Sequence, residues 1–172
     1  MKKISCYLLS ALLCATSLAS AHSKLNPATD ASAHGIVNDK IDQTPVDAQE
    51  AVATVERFSA AIANAQFDKA AAELDANVLI LESGGAEHGA AEYFSGHAKA
   101  DADFLKTVHV VLKRRTTWIS GDMASVASES DMHLQKDGNT STILATETMV
   151  LKRDDGHWKI VHIHWSSHTK KP

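Results

Sequence analysis

An α+β domain in which helices precede an antiparallel sheet is what this sequence predicts, and three observations carry the prediction. Val52, Val55, Phe58 and Ile62 recur at helical spacing, and helical spacing returns over residues 90–106. From Thr107 onward the apolar residues alternate with a period of two instead. Three turn-forming stretches, Gly121-Asp122, Lys136-Asp137-Gly138-Asn139 and Asp154-Asp155-Gly156, cut that second half into four runs. Helices followed by strands pack with the helices on one face of the sheet.

The elements follow in order. Lys2 and Lys3 precede an apolar run over residues 4–18, and Ala19-Ser20-Ala21 supplies small residues, so residues 1–21 read as a secretory signal peptide cleaved after Ala21. The apolar run is shorter than the ~20 residues a membrane-spanning helix needs, and no membrane anchor is expected after cleavage. Residues 22–43 are rich in Ala, Ser, Asp and Asn without apolar periodicity and read as a flexible leader. A single domain is expected over residues 44–168, with residues 169–172 as a tail. Thr44-Pro45-Val46-Asp47 combines a hydroxyl cap, a proline at the first helical position and a carboxylate three residues after the cap, which starts a helix running to about Asn64. A short helix is expected over residues 67–74, a strand over 77–82 ended by Ser83-Gly84-Gly85, and a third helix over 90–106. Strands over 107–119, 125–135, 142–153 and 157–168 form an antiparallel meander.

Composition narrows the chemistry. Both cysteines, Cys6 and Cys14, fall in the signal peptide, so the mature chain has no disulfide or thiolate chemistry. The formal net charge of −4 becomes more negative once Lys2 and Lys3 are removed, which disfavours a nucleic-acid partner. No phosphate-binding loop, cofactor motif or catalytic triad is present, and no cofactor is expected. All ten histidines lie beyond the cleavage site.

Several of them sit in patterns that suit chemistry. In the closing run Trp158-Lys159-Ile160-Val161-His162-Ile163-His164-Trp165-Ser166, period two places His162 and His164 on one face with Trp158 and Ile160. Two residues of strand separate them by about 6.5–7 Å, close enough to touch one ligand. His97 and Asp101 are four apart and share one side of a helix. Glu82 ends the first strand, and Glu87 and His88 fall in the loop after it. Arg114 or Arg115 could meet an anion, depending on which faces inward. Glu129, Asp131 and His133 form a polar stripe facing solvent or a second copy.

Two helices, a strand ending in Glu82-Ser83-Gly84, a third helix and four strands closing in Trp158 to Ser166 resemble the nuclear transport factor 2-like superfamily, in its SnoaL-like and ketosteroid isomerase-like branch, over about residues 46–168. The resemblance implies a cone: a curved antiparallel sheet of cystatin-like topology wrapped around N-terminal helices, with a pocket at the open end and dimers formed through the sheet. It brings the first strand's end and the third helix to the cone's mouth, where His162, His164, His97, Asp101 and Glu82 would converge. Ketosteroid isomerase chemistry requires a carboxylate base opposite a phenol and a protonated acid. Tyr93, the mature chain's one tyrosine, lies in the third helical segment and matches no such donor, so that mechanism is not supported.

The expected assignments are therefore His162, His164 and Asp101 as acid–base groups, with Glu82, His97, Tyr93 and Trp158 as ligand contacts. No resident metal is expected; the alternative is a divalent cation held by His97, Asp101, His162 and His164. A hydrogen-bonded core explains the same histidines without any ligand. The resulting expectation is a secreted, periplasmic bacterial protein, a homodimer through its sheet, that binds a small organic molecule. An acid–base lyase or isomerase and a periplasmic metal-binding protein are the alternatives, and the residues alone neither decide between binding and catalysis nor name the ligand.

Overall fold

Helix α1 (Gln49–Ala63) forms because its apolar residues fall on one stripe. Val52, Val55, Phe58 and Ile62 are all buried there, each contributing about 1.5–3 kcal/mol of apolar burial. The computed structural model describes residues 42–136 and 138–171. The expected signal peptide, and the leader as far as residue 41, lie outside these residues. The leader's last two residues do not follow expectation: Asp42–Gln43 forms strand β1, paired in parallel with Arg115 and Thr116. The start of α1 also differs. A 3-10 turn, Val46–Ala48, precedes it, and Pro45 rather than Thr44 takes the cap position.

Helix α2 (Phe67–Glu73) runs directly into β2 (Leu74–Glu82), a strand longer than the sequence suggested. Arg57 of α1 grips the end of α2 through Glu73, with Nε to Oε1 at 2.9 Å and Nη2 to Oε2 at 3.1 Å. Ser83 and Gly84 then turn the chain with positive φ angles of 49° and 86°, the backbone of a tight two-residue hairpin. The turn leads into β3 (Gly85–His88), which pairs Glu82 with Gly85 and Leu79 with His88. Glu87 and His88, expected in a loop, therefore lie on a strand. The expected third helix is two helices, α3 (Ala90–Phe94) and α4 (His97–Leu105), separated at Ser95-Gly96.

The meander is β4 (Val108–Ser120), β5 (Met123–Lys136), β6 (Asn139–Asp154) and β7 (His157–Thr169). Strand β7 then pairs in parallel with β2, giving one seven-stranded sheet in the order β1-β4-β5-β6-β7-β2-β3. The sheet is curved and unclosed, with the helices against one face. Phe58, Ile80, Tyr93, Met149, Leu151, Ile160 and Ile163 are the large side chains of the core between them. Among the described residues no helix is long and apolar enough to cross a membrane.

Two bulges set which side chains face inward. In β4 the pairing jumps from Leu112↔Ser130 to Arg114↔Glu129, so Lys113 is extra. In β7 it jumps from Leu151↔Ile160 to Val150↔His162, so Val161 is extra. An extra residue bends the strand and exchanges its two faces beyond that point.

Candidate functional site

The curved sheet and the helices enclose a cavity of about 400 Å³, within the range usual for small organic ligands. Phe58 and Ile62 of α1, Leu112 of β4, Met132 of β5 and Ile143 of β6 supply much of its apolar wall. Across the inner face of the sheet runs one row of directly opposed residues: Arg115, Ser128, Glu147, Trp165 and Glu82, on β4, β5, β6, β7 and β2. All five line the cavity. The row exists because of the bulges. Beyond Lys113 the inward phase of β4 shifts onto Arg115, and beyond Val161 the inward phase of β7 shifts onto Ile163 and Trp165.

At the Glu82 end the row meets α3 and α4. His97 Nε2 lies 3.3 Å from Glu82 Oε2 and 3.3 Å from Asp101 Oδ1, while its Nδ1 lies 2.5 Å from Glu87 Oε1. Each contact has a local cause. One helical turn joins His97 to Asp101, the β2–β3 hairpin brings Glu82 and Glu87 together, and His97, the first residue of α4, meets both. Tyr93 is completely buried and donates its hydroxyl to Asp101 Oδ2 at 2.7 Å. Hydrogen bonds to Asp101 and then Glu82 raise the imidazole pKa to about 11, against the opposing effect of burial, so His97 is an imidazolium at neutral pH. Burial raises the Tyr93 phenol pKa, and the Asp101 charge adds to that, so this hydroxyl stays protonated.

The middle of the row is different. Trp165 Nε1 donates to Glu147 Oε2 at 2.8 Å, and burial pushes the Glu147 pKa up despite that bond and the charge of Arg115. Glu147 is half-buried and lines the cavity. Arg115 donates from Nη1 to Glu56 Oε1 at 2.6 Å, joining β4 to α1. Ser128 is 7% exposed, and its Oγ has no hydrogen-bond partner among the described residues.

Glu82, His97 and Asp101 also offer ligand atoms within 4.8 Å of one another, the spacing a divalent cation would need. Glu87 on Nδ1 and Tyr93 on Asp101 would orient those ligands from behind. The proton on His97 holds the carboxylates together here as a cation would.

A family model for the SnoaL-like domain matches residues 51–170. The chain belongs to the SnoaL-like family. No curated protein matches it significantly. Among solved structures it is similar to a putative ketosteroid isomerase from Shewanella frigidimarina, with 35% identity, 66% of this chain and 92% of that one covered, and a TM-score of 0.63. It is similar to a putative calcium/calmodulin-dependent protein kinase II association domain from Xanthomonas campestris, with 25% identity, 70% and 87% covered, and a TM-score of 0.56. An NTF2-like protein with a cystatin-like fold from Novosphingobium aromaticivorans shares 13% identity over 69% and 80% of the two chains, at a TM-score of 0.59, and shows the fold alone.

Within this SnoaL-like domain the expected site residues divide. Glu82, Tyr93 and Asp101 line the cavity, and His97 binds Glu82 and Asp101 at its edge. His162 and His164 do not enter it. They lie beyond the Val161 bulge, on the face opposite Ile163 and Trp165, where His162 Nδ1 lies 2.9 Å from the Leu79 carbonyl and His164 is exposed. The acid–base role and the four-ligand cation set built on them are thereby lost. Trp158 is core, with the Arg153 guanidinium 4.5 Å from its ring centre, and does not line the cavity. Glu129 and Asp131 alternate with the lining residues Ser128, Ser130 and Met132, and so face outward; His133 does likewise, beside Thr142 and stacked on His109. Sequence reasoning missed Glu147, Ser128 and Trp165 as cavity residues. The usable signal was a phase change: large apolar residues fall on Trp158 and Ile160, then on Ile163 and Trp165, which no unbroken strand accommodates on one face.

Proposed function

We propose that this domain binds a small, largely apolar organic molecule in the cavity between α1, α4 and the inner face of the sheet. The observation that carries this reading is the largely apolar cavity wall crossed by a row of opposed residues from Arg115 to Glu82. Membership of a fold family whose pockets suit small molecules supports it. Ligand-observed NMR with small alicyclic and aromatic fragments tests it. Fragments that bind the native protein should lose binding in Ala145→Trp, which fills the cavity from β6. Unchanged binding in that folded variant sinks the reading.

The second reading is acid–base catalysis of the lyase or isomerase type. It is favoured by Glu82 and Asp101 flanking an imidazolium at the cavity edge. The similarity to a protein named as a putative ketosteroid isomerase is consistent with it. Tyr93, whose hydroxyl is committed to Asp101, supplies no separate donor to a substrate oxygen. Hydrogen–deuterium exchange at the α-carbon of a bound ketone reads this directly. Exchange should be catalysed by the native protein and lost in Glu82→Gln; equal exchange in both removes Glu82 as the base.

The proposal includes export to the periplasm, based on residues 1–21, and a homodimer through the outer face of the sheet. Similarity to association and hub domains is compatible with self-association. Half-buried Leu79, Leu81, Val111, Leu144 and Val150 lie on that outer face, with Trp118 exposed among them.

A further inference from the structure

The cavity has one strongly charged edge, and the charges there do not balance. Glu82, at the end of β2, and Asp101, on α4, both line the cavity and both contact His97, while Glu87 takes the other nitrogen of that ring. Even with the imidazole fully charged, three carboxylates against one cation leave a net charge of −2 at this edge. Among the described residues Arg115 is the one lysine or arginine side chain lining the cavity, and it is joined to Glu56. Charges partly withdrawn from water are poorly screened, so the excess is costly until a cation meets it. The same edge is aromatic. Trp165 is paired directly with Glu82 across β2 and β7 and lines the cavity, as does Tyr93, whose ring centre lies 6.1 Å from that of Trp165. Carboxylates bordered by aromatic rings attract a cation both by charge and through the ring quadrupole.

We propose that the cavity takes a hydrophobic amine, its ammonium group held by Glu82 and Asp101 and its hydrocarbon body against the apolar wall. This rests on the small-molecule reading above and adds the ligand class. A carboxylate has about four acceptor sites, so the contacts that Asp101 makes with His97 and Tyr93, and Glu82 with His97, leave acceptors on both for an ammonium's three N–H groups. The wall of Phe58, Leu112, Met132 and Ile143 asks for hydrocarbon attached to that charge. A bare metal ion leaves the wall unfilled, and His97 Nε2 already stands 3.3 Å from both Glu82 and Asp101, in the place an ion between them would take. An anionic ligand is repelled at this edge, and an uncharged one leaves the excess charge unmet.

A matched series of indane, 2-aminoindane and indane-2-carboxylate at neutral pH tests the ligand class, with protein-observed NMR reading affinity and location. The amine should bind about tenfold more tightly than indane, the scale of one charge-assisted hydrogen bond, and the carboxylate more weakly than either. Added salt should shrink the amine's advantage. Glu82→Gln and Asp101→Asn should each cut that advantage several-fold. Asp103→Asn should preserve it, because Asp103 lies on the same helix but pairs with Lys99 and Lys106 outside the cavity. Equal amine and indane affinities, or a carboxylate that binds more tightly than the amine, overturn the ammonium assignment and leave the cavity as a binding site. An advantage that survives both cavity substitutions, in variants that still bind indane, overturns it as well. Absence of shifts at cavity residues with all three compounds overturns both readings. The ligand and salt series on the native protein decides the assignment where a variant loses indane binding.

Discussion

His97 concentrates the residue-scale physics of the site. Its pairing with Asp101 was legible from the four-residue spacing, but Glu82 and Glu87 reach it only through the β2–β3 hairpin. With its pKa raised to about 11, His97 contributes stability that is fully present below the ordinary value of 6.5 and is lost as pH rises toward 11. Two outcomes follow for imidazole NMR and thermal melts. The His97 ring should remain doubly protonated at about pH 9, where an ordinary imidazole is neutral. The stability deficit of His97→Gln should be largest near neutrality and shrink with rising pH. A ring that titrates near 6.5 contradicts the three-carboxylate arrangement. Tyr93, expected as a ligand contact, illustrates the limit of single-residue reasoning: it does line the cavity, yet its hydroxyl serves to hold Asp101.

Strand β7 carries the argument at the scale of elements. Its existence, length and antiparallel pairing were legible from alternation and from the Asp154-Asp155-Gly156 turn. The face presented by His162 and His164 was not. Period-two reasoning continues a phase indefinitely, and one extra residue at Val161 reverses it. Deleting Val161 should therefore destabilise the domain by about 3 kcal/mol or more, because a regular strand must either expose Ile163 and Trp165 or bury His162 and His164. His164→Ala should change neither stability nor fragment binding appreciably, since that imidazole is exposed on the outer face. Chemical denaturation compares the two. A deletion variant as stable as the native chain would mean that the bulge does not hold the inward set. The α3–α4 break reflects a similar local event: Ser95-Gly96 interrupts a run whose spacing alone reads as one helix.

For the whole molecule, the inner face of the sheet is spent on core and cavity while the outer face keeps an apolar population beside Trp118, which is 58% exposed. A second copy covering that face removes the exposed patch. Native mass spectrometry of the protein recovered from the periplasmic fraction reads export and dimer together. The expected mass is twice that of a chain beginning at His22, and Trp118→Lys should shift it toward the single chain. A monomer at all working concentrations ends the dimer proposal, and an intact Met1 end terminates the export proposal. What the sequence by itself determined is the order and type of the main elements, though not β1, β3 or the α3–α4 break, together with the α1 stripe, the turns of the meander and the family, because these depend on spacing along a short stretch of chain. Only the tertiary structure decided the site. Arg115, Ser128, Glu147, Trp165 and Glu82 are brought into one row by strand register and two bulges, and register is set by the packing of the whole sheet.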